Sequence, residues 1–275
     1  MPIYNQDLEA ALNAVYPYKP TSTFTGDTGI DINIWGVLDG TVSKFNVFGG
    51  GCEAAAGTDT DVWDDGAAQP VYPYPGSATM THISTPVDDA TMRNKVINIQ
   101  GLDTNWESAG QNVTLDATNT TTAVALTTPL RRVFLMKVHT NVVAAQNIEL
   151  HNAANTATYG VIVAGNNQSQ MALYTVPEGK NAVITNYQAS VVNETAANKT
   201  PIATEVKLLS ADRLRNYEFQ LKHATGIATQ GTGAHQSFNP YLGVFSRRTD
   251  IRLMVHCIAE PGKVYAGFDI FTVDL

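Results

Sequence analysis

The sequence predicts an all-β chain: a β-sandwich of jelly-roll type with an N-terminal arm that carries one short helix. Three observations lead there. Apolar residues recur with period two from about residue 79 onward, and Gly, Pro, Asn and Asp turns cut those runs into many short strands. Only residues 5–15 show convincing helical spacing. No repeat of 20–50 residues is visible, which disfavours propellers and solenoids.

The helix follows from its ends inward. Asn5 can cap it, Asp7 and Glu9 fall in the first turn where the macrodipole favours acids, and Leu8, Leu12 and Val15 share one face. Tyr16 and Pro17 end it, because proline cannot continue a helix. A helix so short is marginal alone in water, so its apolar face needs a dock on its own body or on another subunit. Ile30, Ile32 and Ile34 read as one face of a strand, and the Gly/Ala-rich run 49–57 as a loop or linker. Residues 1–61 are therefore expected to form an arm and small β segment for attachment and oligomerisation, and residues 62–275 the sandwich body.

Residues 61–66 and 71–75 make an extended entry into that body. Ile97 and Ile99, then Val113 and Leu115, mark two strands joined across Gly101–Trp106. Phe134, Met136 and Val138 mark another, and Ile148 and Leu150 the next. Residues 170–192 read as a hairpin, with Pro177, Glu178 and Gly179 as its turn. Tyr217, Phe219 and Leu221 are expected to point inward, as are Ile251, Leu253 and Val255. The last strand, 264–273, is apolar on both faces and so belongs in the middle of a sheet or under a partner.

Charged residues make up 15% of the 275-residue chain, against the usual quarter, so Thr, Asn, Gln, Ser, Ala and Gly must build much of the surface. A surface of that kind suits packing against neighbours. The net charge of −8 leaves no basic footprint for nucleic acid. The opening residues hold neither a basic region nor an apolar run, so no secretory signal is expected, and no stretch approaches the length of a membrane helix. Cys52 and Cys257 lack C-x-x-C spacing and are expected as reduced thiols.

No constellation of catalytic residues emerges, and no cofactor or metal is predicted. His82, His139, His151, His223, His235 and His256 stand outside H-x-H or H-E-x-x-H spacing and read as structural or surface residues. Asp59, Asp61, Asp64 and Asp65 could in principle hold Ca²⁺, but Trp63 interrupts the ligand register, so a solvated acidic turn is expected. Asp103, Glu107, Glu194, Glu205 and Glu218 are carboxylates that spacing alone cannot pair into a glycosidase site. Trp63, Tyr72, Tyr74 and Trp106 could form a sugar-stacking platform. The Tyr-Pro-Tyr-Pro run is better read as a stiff strap packing on a core or a neighbour.

Several short motifs occur in order along the body: Val62-Trp-Asp-Asp-Gly66 with Tyr72-Pro-Tyr-Pro75, Ile97-Asn-Ile-Gln-Gly-Leu-Asp103, and Asn112-Val-Thr-Leu-Asp116 with Leu130-Arg-Arg-Val-Phe134. Asn167 to Lys180 and the ending Ala266-Gly-Phe-Asp-Ile-Phe-Thr-Val-Asp274 follow. Through these motifs residues 62–275, about three quarters of the chain, resemble virion structural proteins of tailed bacteriophages, mostly marine and cyanobacterial. The resemblance implies a virion location and a non-enzymatic role, with a capsid decoration (cement) protein as the leading form. Its partners would be the major capsid protein and copies of itself, as a trimer, without direct contact to nucleic acid or membrane. The alternative is a receptor-binding fibre or tail-associated β-protein that recognises a host glycan. The expected interaction residues are Leu8, Leu12, Val15 and Tyr16 on the arm and Trp63, Tyr72 and Tyr74 on the strap.

Overall fold

The computed structural model describes residues 42–54, 57–66, 71–140, 142–192, 204–212, 216, 218–227, 233–237, 242–257 and 262–275. The expected helix with Leu8, Leu12, Val15 and Tyr16, and the strand expected at Ile30–Ile34, lie outside the described residues. The described part is all-β, and every strand pair is antiparallel.

Four sheets surround two main cores. Sheet A orders β1 (Val42–Ala54), β17 (Gly262–Asp274), β11 (Lys180–Val192) and β14 (Gly233–Ser237), with β15 (Val244–Phe245) also on β11. Sheet B orders β10 (Leu173–Thr175), β16 (Asp250–Cys257), β12 (Thr204–Ala211) and β13 (Gln220–Ile227), with β2 (Asp59–Asp61) on β16. Their facing side chains form one core: Val264, Ala266, Phe268 and Ile270 of β17 meet Ile251, Leu253 and Val255 of β16 and Val206 and Leu208 of β12.

The second sandwich is built from residues that lie between β2 and β10 in sequence. Sheet C orders β6 (Val124–Leu130), β3 (Met80–Ser84), β8 (Ile148–His151) and β9 (Thr158–Ile162). Sheet D orders β5 (Ser108–Thr114), β4 (Val96–Leu102) and β7 (Arg132–Val138). Ile97, Ile99, Met136, Val138, Ile148 and Leu150 share its core, as their period-two spacing predicts, and Met80 and Ile83 join them across an irregularity in the pairing of β3.

The two-faced apolar pattern of the last strand has a direct cause. β17 lies between β1 and β11, and while one face enters the core, Phe271 and Val273 on the other join Val42 and Val183 in a small cluster of their own.

Three expectations are corrected. The Gly/Ala run at 49–57 is not a linker, because β1 continues through it to Ala54 with a register shift between Gly49 and Cys52. Side chains are excluded there by crowding: a Cβ on Gly49 would stand 2.3 Å from Val62 O. Residues 170–192 are not a hairpin either. β10 pairs with β16 in sheet B and β11 with β17 in sheet A, so the turn at Pro177–Gly179 carries the chain across the sandwich. Gly179 supplies the positive φ of +74° that this crossing needs. Finally, Leu221 is 57% exposed, because β13 is an edge strand and slips register against β12 between Leu208 and Leu209.

Loops of the second sandwich converge on Asp89. Its Oδ1 accepts from Thr91 N at 3.0 Å and the Thr91 hydroxyl at 2.6 Å, and its Oδ2 from Ala145 N at 2.8 Å and Gln146 N at 3.2 Å. Burial alone would raise this carboxyl, but the bonds from Thr91, Ala145 and Gln146 outweigh it and hold the group below its ordinary value. Its stabilising contribution is therefore present above pH 3.8 and is lost as pH falls below it. Asp89→Asn, which turns an amide NH₂ toward two donors, is expected to cost about 1–3 kcal/mol at neutral pH. In urea titrations, the gap between variant and parent should close as pH falls below about 4.

Candidate functional site

The strap lies inside the molecule. Trp63 and Tyr72 are only 2% and 3% exposed, and Tyr74 is half-buried. Their rings meet edge-on, Trp63 to Tyr72 at 5.1 Å and Tyr72 to Tyr74 at 4.8 Å, and Phe219 extends the ladder at 5.0 Å. Tyr72 N donates to Asp61 Oδ2 at 2.8 Å, which ties the strap to β2. The rings thus bind the strap to its own body, and Trp63 and Tyr72 have no free face for a neighbour.

Asp61 departs from the solvated acidic turn that sequence suggests. It is buried, with Arg252 Nη1 2.9 Å from Oδ1, and the Arg252 guanidinium lies 4.0 Å from the Phe219 ring centroid. Burial raises its carboxyl above the ordinary range even though Arg252 and Tyr72 N pull the other way. Asp59 is exposed and pairs with Lys207 at 3.3 Å and His256 at 3.0 Å. Among the described residues no group of three or more His, Cys, Asp or Glu could hold a metal ion.

A second ion pair joins the two sandwiches. Arg132 on β7 and Asp250 on β16 are 5% and 3% exposed, and the guanidinium grips the carboxylate through Nε to Oδ1 and Nη2 to Oδ2, both 2.8 Å. Nη1 donates to Pro75 O at 2.7 Å and Arg131 O at 2.9 Å, while the Thr175 hydroxyl donates to Asp250 Oδ1. Trp106 caps this joint. Arg131, Arg132 and Arg248 lie 4.6, 5.1 and 5.9 Å from its ring centroid, and Arg248 also pairs with Glu178. Trp106 has a φ of +68°, unusual for a bulky residue, and its backbone is held by Glu178 N donating to Trp106 O at 2.8 Å. The aromatic group considered as a sugar platform is therefore a closed structural joint.

One pair has the outline of an activated nucleophile. His151 Nδ1 stands 2.8 Å from Asn152 O, so it carries a proton, and the Ser84 hydroxyl lies 2.9 Å from Nε2. Ser84 and His151 are 4% and 1% exposed, which leaves no approach for a substrate; the pair cross-links β3 to β8. Among the carboxylates, Asp103 accepts from Asn105 N and Glu107 N in its own turn, and Glu205 pairs with Lys207 on the same strand. Glu194 lies outside the described residues. His223 Nδ1 lies 2.9 Å from Tyr187 OH. Cys257 is a buried free thiol.

An open site exists elsewhere, on the outer face of sheet A. Val47, Phe268 and Tyr187 turn into the core, so strand alternation turns Phe48, Gly267 and Gln188 outward. Phe48, Gly267, Gln188 and His235 form one cross-strand row, and Tyr265 and Ser190 sit in the next. Phe48, Gln188, Ser190, His235 and Tyr265, with the residues Ala189 and Ala234 between them, line an open groove of about 450 Å³. Sequence reasoning missed it because the glycines of β1 looked like a linker.

Arg132→Ala leaves Asp250 buried and unpaired, and is expected to lower stability by about 3–5 kcal/mol. Replacing both partners, Arg132→Met with Asp250→Leu, should recover most of that loss in urea unfolding. A double variant as unstable as the single one would show that the ion pair is not its source.

No protein-family model and no curated protein matches the chain. Among the described residues no helix is long and apolar enough to cross a membrane. Among solved structures the alignments are weak. One is a structure of infectious bursal disease virus, Gx strain, at 9% identity and TM-score 0.19, covering 84% of this chain and 74% of that one. Another is a VP2 subviral particle of infectious bursal disease virus, at 8% identity and TM-score 0.19, covering 96% and 81%. A likeness of that size carries no argument about fold or function.

Proposed function

We propose that the chain is a non-enzymatic virion structural protein with a jelly-roll body, acting as a capsid decoration (cement) protein. The single observation that carries this reading is the nesting of strand pairs in the larger sandwich. Its eight principal strands in chain order are β1, β10, β11, β12, β13, β14, β16 and β17. The first pairs with the last, the second with the seventh, the third with the sixth and the fourth with the fifth. A long antiparallel ribbon rolled into two sheets gives this order, the wind shared by many viral capsid and lectin domains.

Fold alone does not assign function, and the phage-like motifs add to the case. Trp63, Tyr72, Tyr74, Arg131, Arg132 and Thr175, all within those motifs, meet at the joint between the sandwiches. The polar groups best placed for chemistry, Ser84 with His151 and Arg132 with Asp250, are closed into structural bonds. In this reading residues 1–41 supply the attachment to the major capsid protein and to other copies in a trimer, and the chain resides on the particle surface.

Copy number in purified virions tests the role. Quantitative mass spectrometry is expected to find hundreds of copies per particle, and a handful would overturn the decoration role in favour of a fibre or tail component.

A further inference from the structure

We propose that the groove on the outer face of sheet A binds a neutral saccharide. Two glycines make it. A Cβ on Gly50 would stand 2.2 Å from Tyr265 Cδ1, so the Tyr265 ring lies down on the strand where that side chain would be. A Cβ on Gly267 would stand 3.2 Å from Phe48 Cδ2 and 2.6 Å from Val47 O, so the Phe48 ring leans over a second bare position. Both rings lie close against the sheet yet stay partly open to solvent, Phe48 being 38% exposed and Tyr265 half-buried. Aromatic cover of strand glycines is itself stabilising. It also leaves two flat apolar platforms side by side.

The polar groups complete the case. Gln188 is one strand beyond Gly267, which puts it about 10 Å from Phe48, two strand spacings across the sheet. Gln188 offers two donors and an acceptor, Ser190 a hydroxyl, and His235 a ring nitrogen of either role. Among the described residues that line the groove there is no Lys, Arg, Asp or Glu, so the lining they form is uncharged. A pyranose needs what remains: an aromatic face for its C–H side, and uncharged, two-way hydrogen-bonding groups for its hydroxyls. The volume of about 450 Å³ lies in the range of small-ligand sites.

This deepens the reading of a particle-surface protein, and its test is independent of copy number. The full chain is applied to an array of bacterial surface oligosaccharides, neutral and acidic, and the strongest neutral hit is titrated by calorimetry. Retention of a neutral oligosaccharide is expected. Gln188→Ala and His235→Ala, at exposed positions, should each weaken it about tenfold, near the free energy of one lost hydrogen bond. Tyr265→Ala should abolish it, while Tyr265→Phe, which keeps the ring face, should retain it. The inference is overturned if the array gives no hit, if only acidic glycans are retained, or if affinity is unchanged in both Gln188→Ala and Tyr265→Ala. Such a failure would leave a count of hundreds of copies per virion untouched.

Discussion

Between Arg132 and Asp250 two charges face each other almost without water, joined by two parallel N–H···O bonds and 118 residues apart in sequence. Taking both charges out of water is expensive, and their attraction offsets that expense only when the geometry is good and the other donors find partners. Here Nη1 meets two carbonyls and Thr175 adds a donor to the carboxylate, so the burial is tolerated. The pair links a strand of each sandwich, β7 and β16. Trp106, the Tyr72–Tyr74 ladder and the Asp61–Arg252 pair are arranged around that junction, which fixes how one sandwich meets the other. A contact between apolar surfaces could slide, whereas a bidentate pair holds one register.

The larger sandwich carries a different constraint, closure. Val42 pairs with Val273, and the whole length of β1 is bound to β17, so the sheet is incomplete until the two ends of the described chain meet. Loop-closure entropy grows slowly with length, but long-range pairing must be reached before any bond rewards it. The hairpin β4–β5 and the β8–β9 pair are local and can form first. The inserted sandwich then shortens the effective separation between β2 and β10, which favours late assembly of sheets A and B around it.

What the sequence made legible was the side-chain face of each strand. Ile97 with Ile99, Ile251 with Leu253 and Val255, and the doubly apolar β17 all sit where period two puts them, because one residue of slip would turn a whole face to water. Strand partners were not legible. The pattern at 170–192 is the same whether the turn returns to the same sheet or crosses to the opposite one, and only the neighbours available to β10 and β11 decide. The glycines of β1 misled for a related reason, since their lack of side chains reflects crowding by Val62 and Tyr265 and not flexibility. Asp61 looked solvated because Arg252, its partner, is 191 residues away. The groove escaped notice because its lining comes from four strands, β1, β11, β14 and β17, whose pairing no local pattern reveals.

The place where the second sandwich enters the chain bears on how such a protein can diversify. It lies between β2 and β10 in sequence, flanked by residues 62–66 and 71–79 on one side and 163–172 on the other, and breaks none of the nested strand pairs of the larger sandwich. An entire body can therefore be exchanged at that point like a cassette in a fixed frame, while the larger sandwich keeps its hydrogen bonds. The frame sets one condition on the newcomer. Asp250 stays behind in sheet B, buried beside Thr175, so any replacement must deliver a cation to the position Arg132 now fills.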